Sequence, residues 1–213
     1  MPGVSNPRLG FPERVTKILT KKTNRKTKMN STEIKAIQTE IGVVPDGFWG
    51  PKSIAACQKF LRSLMPSPNP WPKSDQASLT KFYGDAGDEA QLVNLPAPVP
   101  MFYDGKRIKT IRCHRLVAAS LARALTDAYS YAPDVVKVYD GCYNNRPMRG
   151  GSLPSLHARG AAIDLDAGNN GNLVSWPAKA TMPFGVMKAF AREGWLSAGA
   201  FWLRDGMHAQ ATQ

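Results

Sequence analysis

Two of the three histidines in this 213-residue chain stand where a metal ion could be held. His157 lies in Ser155-Leu-His157-Ala-Arg-Gly160-Ala-Ala-Ile-Asp164-Leu-Asp166, which sets an imidazole seven residues ahead of a carboxylate. Between them a glycine and a run of small apolar residues (Ala161, Ala162, Ile163, Leu165) read as the start of a buried strand. Histidine nitrogen and aspartate oxygen are both zinc ligands, and a catalytic zinc site takes three protein ligands and leaves its fourth position to water. His208 closes Trp202-Leu-Arg-Asp205-Gly-Met-His208 near the C-terminus. On spacing alone the His157–Asp164 pair reads equally as a loop histidine and a turn carboxylate.

The two stretches together carry more. Ser155-x-His157-x-x-Gly160-x-Ala162-x-Asp164, followed by Trp202-x-x-Asp205-x-Met207-His208, resembles the signature of the zinc peptidoglycan peptidases of the VanY-like D-Ala-D-Ala carboxypeptidase and L-alanyl-D-glutamate endopeptidase family. The resemblance covers about half the chain, from Pro100 to Gln213. It implies one Zn2+ per chain held by His157, Asp164 and His208, with Asp205 as general base. It also implies an arginine in the preceding loop, because peptide hydrolysis builds negative charge that a guanidinium can hold through two hydrogen bonds. Arg146 in its Asn-Arg-Pro context fits best, and Arg149 competes for the role. Ser155 and Trp202 fall to substrate contact or the pocket wall, and Trp195 to the core or the pocket wall. Relatives carry an aromatic residue and then Glu after the last histidine, whereas Ala209 and Gln210 stand here, a departure expected at the pocket edge. His114 receives no role from the resemblance and is expected to be structural.

Elements must position these groups. After a Pro100 boundary, Met101-Phe-Tyr, the Asp104-Gly105 pair and Ile108 to Ile111 read as a hairpin. Leu116 to Ala128 read as a helix, Val135 to near Gly141 as a strand, Cys142 to Gly151 as a loop, and Gly168 to Asn172 as another loop. A helix from Pro183 closes at Gly194 and leads to a last strand with His208. The fold class is α+β: a small antiparallel sheet with helices packed on it. A small all-α three-helix unit precedes it. There, Ser31-Thr-Glu-Ile34 starts one helix, and Asp46-Gly47-Phe48-Trp49-Gly50-Pro51-Lys-Ser53 leads into a second with Pro51 at its first position. Ser74 to Tyr83 make a short third. With the Ile37-Gln38 pair this stretch resembles the peptidoglycan-binding repeat module, which implies wall contacts by Asp46, Phe48 and Trp49, the aromatics also serving as core staples. Met65 to Pro72 and Gly84 to Pro100 read as proline-rich, irregular connectors that space the parts. The organisation is thus a basic, disordered tail (1–29), a wall-binding unit (30–84), a linker (85–100) and a zinc peptidase (101–213).

Composition sets the outer limits. Of a net charge of +12, +7 sits in residues 1–29, a basic stretch suited to polyanions. Charge alone would allow nucleic acid, but the motifs point to a cell wall and its anionic envelope, with no specific nucleic-acid partner. No apolar run reaches the ~18 residues of a membrane span, and no apolar segment follows the basic N-terminus as a secretory signal needs. Cys57, Cys113 and Cys142 show no CxxC pairing and read as buried or free thiols of a reducing compartment. These features together suggest a monomeric phage endolysin, made in the host cytoplasm and released to the wall by a holin-type partner. The alternatives are a carboxypeptidase of cell-wall metabolism and a non-catalytic wall-binding or virion structural protein.

Overall fold

The computed structural model describes residues 28–213. The expected disordered tail lies outside the described residues except for Lys28 and Met29. Helix α1 (Ser31–Glu40) is capped by Asn30, one residue before the expected Ser31. The Asn30 side chain accepts from the Glu33 backbone at 2.9 Å while the Glu33 carboxylate accepts from the Asn30 backbone, a reciprocal capping box. Helix α2 (Pro51–Leu64) starts on its proline, and α3 (Gln76–Tyr83) is capped by Asp75 and stopped by Gly84 at φ +84°.

The apolar faces of these helices join the rest of the chain in one hydrophobic core. Trp49 meets Trp176 edge-on at 5.2 Å, and Phe60 lies 5.9 Å from Phe184. The first proline-rich connector is itself packed on the rest of the chain. Its Trp71 is buried against Trp195, donates its indole N–H to the Glu193 carbonyl at 2.7 Å and accepts from the Gln213 side chain through its own carbonyl. Tyr83 at the end of α3 donates to the Ala211 carbonyl at 2.7 Å.

Strand β1 (Leu92–Pro96) forms within the passage expected to be irregular, because Leu95 packs against the core and Pro96 ends an edge strand, where a missing N–H is tolerated. Strands β2 (Phe102–Tyr103) and β3 (Lys106–Arg107) make the expected hairpin, with Asp104 and Gly105 both at positive φ as a tight two-residue turn requires. Its second arm is shorter than expected, for Ile111 belongs to β4 (Thr110–His114), which pairs with β1. Helix α4 (Ala118–Tyr131) buries Leu121, Ala124, Leu125 and Ala128. The strand expected from Val135 to near Gly141 begins later, as β5 (Tyr139–Gly141), and its first part is a helical turn, α5 (Pro133–Val136). Proline at the first helical position overrides the β-branched pair behind it.

Strand β6 (Ala162–Leu165) is buried on both faces. The expected loop after it holds one helical turn, α6 (Ala167–Asn170), because the Asp166 carboxylate accepts from the amides of Asn169 and Asn170. Helix α7 (Phe184–Arg192) packs on α4, then β7 (Leu196–Ser197), α8 (Ala198–Phe201) and β8 (His208–Gln210) complete the chain. The main sheet is antiparallel in the order β5-β6-β8-β7, so the fold is α+β with small antiparallel sheets. Cys57, Cys113 and Cys142 are buried free thiols, and burial pushes those of Cys57 and Cys113 up to about 12.

Candidate metal centre and active-site cleft

The central strand pair brings the chemistry together. Asp164 of β6 lies directly opposite His208 of β8, and cross-strand neighbours share a face. His157 reaches the same point from a 3-10 turn (Leu156–Arg159) capped by Ser155, whose hydroxyl accepts from the His157 backbone at 3.3 Å. That turn is closed by Gly160 at φ +65°, where a Cβ would fall 2.8 Å from the His114 nitrogen, so only glycine fits.

His157 Nε2, His208 Nδ1 and Asp164 Oδ1 form a triangle with sides of 3.1, 2.9 and 3.3 Å. Four ligands at about 2.0–2.1 Å in a tetrahedron stand about 3.3 Å apart, so the triangle has the dimensions of a zinc-binding face. The outer partners settle which nitrogens face inward. His157 Nδ1 lies 2.7 Å from the Cys142 carbonyl, which can only accept, so this nitrogen carries the proton and the neutral ring leaves Nε2 bare. Gln210 donates through its amide nitrogen to Thr212 at 2.7 Å and therefore turns its oxygen to His208 Nε2 at 3.1 Å. His208 Nδ1 is thereby left bare as well. With both rings neutral, two lone pairs and a carboxylate oxygen converge there, in side chains only 5–11% exposed; without a cation, a proton on His208 Nδ1 takes its place and is donated to Asp164 Oδ1 at 2.9 Å. Such an arrangement calls for a cation, and its outer hydrogen bonds are those that orient metal-ligating histidines.

The local electrostatics agree. Burial opposes charge on His208, but the hydrogen bond and charge of Asp164, with Asp205 and Gln210, raise it above the ordinary imidazole value. Burial likewise opposes charge on Asp164, yet His157 and His208 hold it well below the ordinary carboxylate range. Positive charge is stabilised where the three ligand atoms meet. The donor set of two imidazoles and one carboxylate fits zinc.

The triangle lies in a cleft of about 760 Å3. Asp205 also lines it, at φ +60°, and its carbonyl accepts from the His208 backbone at 2.9 Å. Its Oδ1 is buried without a hydrogen-bond partner, and burial first, then the Asp164 charge, raises its carboxyl above the usual range against the pull of the histidines and Arg149. Arg146 and Arg149 both line the cleft; Arg146 donates to the Pro147 carbonyl, and Arg149 is the one whose charge acts on Asp205. Trp202, 43% exposed, tilts over His208 with ring centres 5.9 Å apart. Ser155 lines the cleft but its hydroxyl is engaged as the cap of the turn.

Other residues of interest fall elsewhere. Trp195 is core, its N–H donating to Ser120 at 2.9 Å. His114 is buried, with Nε2 against the Tyr83 carbonyl at 2.9 Å and Nδ1 accepting from the Leu116 backbone, a structural lock. In the N-terminal part, Asp46 accepts from Gln38 and from the Phe48 backbone, shaping the turn, and Phe48 is 72% exposed beside exposed Val44. Trp49 is half-buried against Trp176, with its indole N–H buried and unpartnered.

Sequence reasoning missed four contributors. Gln210, expected at the pocket edge, also bonds directly to His208 of the candidate trio; the signal was its place two residues from His208, on the same face of a strand. Arg204 and the start of α3 (Ser74, Asp75, Gln76 and Leu79) line the cleft too. Arg159 is buried at 4% exposure, and a charged residue within an otherwise small and apolar run was its signal.

Residues 149–211, less than a third of the chain, match the family model described as D-alanyl-D-alanine carboxypeptidase. The match supports a peptidase domain of a zinc-dependent family whose members act on peptidoglycan, and it contains the ligand trio, Asp205 and Arg149. No curated protein and no solved structure matches the chain.

Proposed function

We propose that this protein is a zinc-dependent peptidase of the bacterial peptidoglycan stem, cutting the L-Ala–D-Glu bond in the manner of a phage endolysin. The observation that carries this reading is the inward-facing trio His157, Asp164 and His208, beside a buried Asp205 carboxylate that has an open acceptor. His157, Asp164 and His208 would hold the zinc, which when bound supplies Lewis-acid polarisation and acidifies the attacking water. Asp205, its carboxyl raised by burial, takes the proton of that water at Oδ1 and delivers it to the departing amine. Arg149, or Arg146 after a swing from Pro147, holds a substrate carboxylate or the developing oxyanion. Trp202 and Ser155 bound the substrate on the metal side.

In this reading the α1–α2 segment adds wall affinity, with Phe48 and Val44 as its exposed apolar face and Asp46 and Trp49 as its framework, and so raises the enzyme's local concentration on an insoluble polymer. The basic tail adds contact with the anionic envelope. The protein acts as a monomer, made in the host cytoplasm and reaching the wall through a holin-type partner. Among the described residues no helix is long and apolar enough to cross a membrane.

The match to a D-alanyl-D-alanine carboxypeptidase model favours a second reading, hydrolysis of the terminal D-Ala–D-Ala bond. Digestion of purified peptidoglycan, with chelator and then zinc added back, separates the two. A new N-terminal D-Glu that disappears with chelator supports the endopeptidase, and released free D-Ala supports the carboxypeptidase. Finding neither a new N-terminal D-Glu nor free D-Ala under any metal condition overturns both.

A further inference from the structure

One wall of the cleft comes from outside the region that matches the peptidase model. Ser74, Asp75, Gln76 and Leu79, at and just before the start of α3, line the same cavity as the metal-binding trio. A buried arginine fastens them there. Arg159 has only 4% of its surface exposed, and arginine is almost never so buried unless its donors are met. All its hydrogen bonds run to α3 or its cap: Nε to the Gly84 carbonyl at 3.0 Å, one terminal nitrogen to Gln76 Oε1 at 3.1 Å, the other to Thr80 Oγ1 at 2.9 Å. Gln76 uses its other end to donate to the Pro154 carbonyl at 3.1 Å, immediately before the cap of the His157 turn.

The His157 turn does not depend on this strut. It is held separately by His157 to the Cys142 carbonyl, by the Asn144 backbone to the His157 carbonyl, by Gly87 to Ala158 and by His114 to Gly160. The strongest polar tie of α3 apart from the strut, Tyr83 to Ala211, is at its far end. Arg159 thus spans α3 from its first residue to its C-cap, and through Gln76, which also reaches Pro154, it ties the cleft-lining end of the helix to the turn that carries His157.

We propose that the first turn of α3 is a substrate-positioning wall of the cleft and that Arg159 is the positioning residue that holds it. The wall offers the Ser74 hydroxyl and the second carboxylate oxygen of Asp75 to a peptide whose anionic groups face Arg146, Arg149 and Arg204, while Gln76 is engaged in holding the wall in place. The proposal rests on the peptidase reading above, and its test separates the two.

Full-length zinc-loaded protein is assayed on the synthetic pentapeptide L-Ala-D-Glu-L-Lys-D-Ala-D-Ala, as wild type, Arg159→Gln and Arg159→Lys, with zinc affinity measured by chelator competition. Arg159→Gln is expected to raise KM about tenfold with kcat and zinc affinity within about twofold, the pattern of lost substrate binding. Arg159→Lys should restore part of the loss. An unchanged KM, or a joint fall of kcat and zinc affinity, overturns the proposal. If Arg159→Gln does not fold, Gln76→Ala, which leaves Arg159 in place but cuts the tie to Pro154, must raise KM in the same way. If the wild type cuts no peptide, the peptidase reading fails instead. The wall is then judged by calorimetric binding of the pentapeptide to wild type and to Gln76→Ala: weaker binding to the variant upholds it, and equal binding or none to either overturns it.

Discussion

Gly160→Ala tests whether the loop between His157 and Asp164 is built around the missing side chain. Gly160 sits at φ +65°, a conformation that costs an L-residue about 1–2 kcal/mol. The added Cβ also has nowhere to go. It would stand 2.8 Å from the His114 backbone nitrogen, 2.9 Å from Leu92 Cδ2 and 3.1 Å from the Cys113 carbonyl carbon, and two of these are backbone atoms of β4 that cannot rotate away. Overpacking of this kind costs a further ~1–3 kcal/mol, so the total is about 2–5 kcal/mol. Gly105→Ala is the control, for Gly105 has φ +73° but nothing within 4 Å of its Cβ position. It carries only the backbone part, about 1–2 kcal/mol. For a chain of this size each kcal/mol moves Tm by about 2–4 °C, so urea and thermal unfolding resolve the difference. Both variants are unfolded in chelator, since bound metal would add stability of its own. Zinc affinity measured separately should fall for Gly160→Ala and hold for Gly105→Ala. Equal destabilisation of the two variants, within about 0.5 kcal/mol, would refute the steric argument.

Three other outcomes are expected. Asp205→Asn should cut kcat about 10²–10⁴-fold while the protein still takes up zinc, so a fully active variant removes Asp205 from the proton transfer. Gln210→Ala should weaken zinc binding about 10–100-fold through loss of the acceptor that orients His208, and unchanged chelator competition would show that Gln210 is only pocket edge. His114 contributes a pH dependence of stability whose sign follows from its lowered pKa: burial is the main cause, Arg115 adds to it, and the Tyr83 carbonyl and Asp88 oppose it. A lowered folded value means the neutral ring is favoured in the native state, so its contribution is present above the unfolded value of about 6.5 and is lost as pH falls below it. The stability gap between wild type and His114→Gln should therefore narrow from about pH 7.5 to about pH 5.5, and a gap that widens on acidification contradicts the assigned ring state.

The His157, Asp164 and His208 trio that the structure gathers was easier to pick out in the sequence than the elements around it, because two motifs and the family they resemble mark it, whereas no motif marks those elements. In the structure a capped turn and a left-handed glycine place His157, and two strands whose paired residues lie 44 apart in the chain set the Asp164 carboxylate opposite the His208 imidazole. Each leaves its own residue type at its own position. The elements that were misread are those where one nearby residue overrides what propensity alone reports. Val135 and Val136 have strand propensity, yet Pro133 starts a helical turn there. Asn169 and Asn170 resemble loop filler until the Asp166 carboxylate gathers them and Asn170 accepts from Met207, just before His208.

The same distinction explains why the cleft was only half visible. Its floor is local to two motifs, but one wall is α3, more than 70 residues from His157 in the chain, and its strut is an arginine whose acceptors are a glutamine, a threonine and a carbonyl. None of those acceptors is charged, so no pairing of opposite signs in the sequence could have announced them. Trp49 shows the converse. Its motif resembles a wall-binding aromatic, but the fold turns it against Trp176 and leaves Phe48 as the exposed ring. An aromatic in such a motif can serve the core or the wall, and only the position of the neighbouring helix, here α7 with Phe184 beside Trp176, decides which.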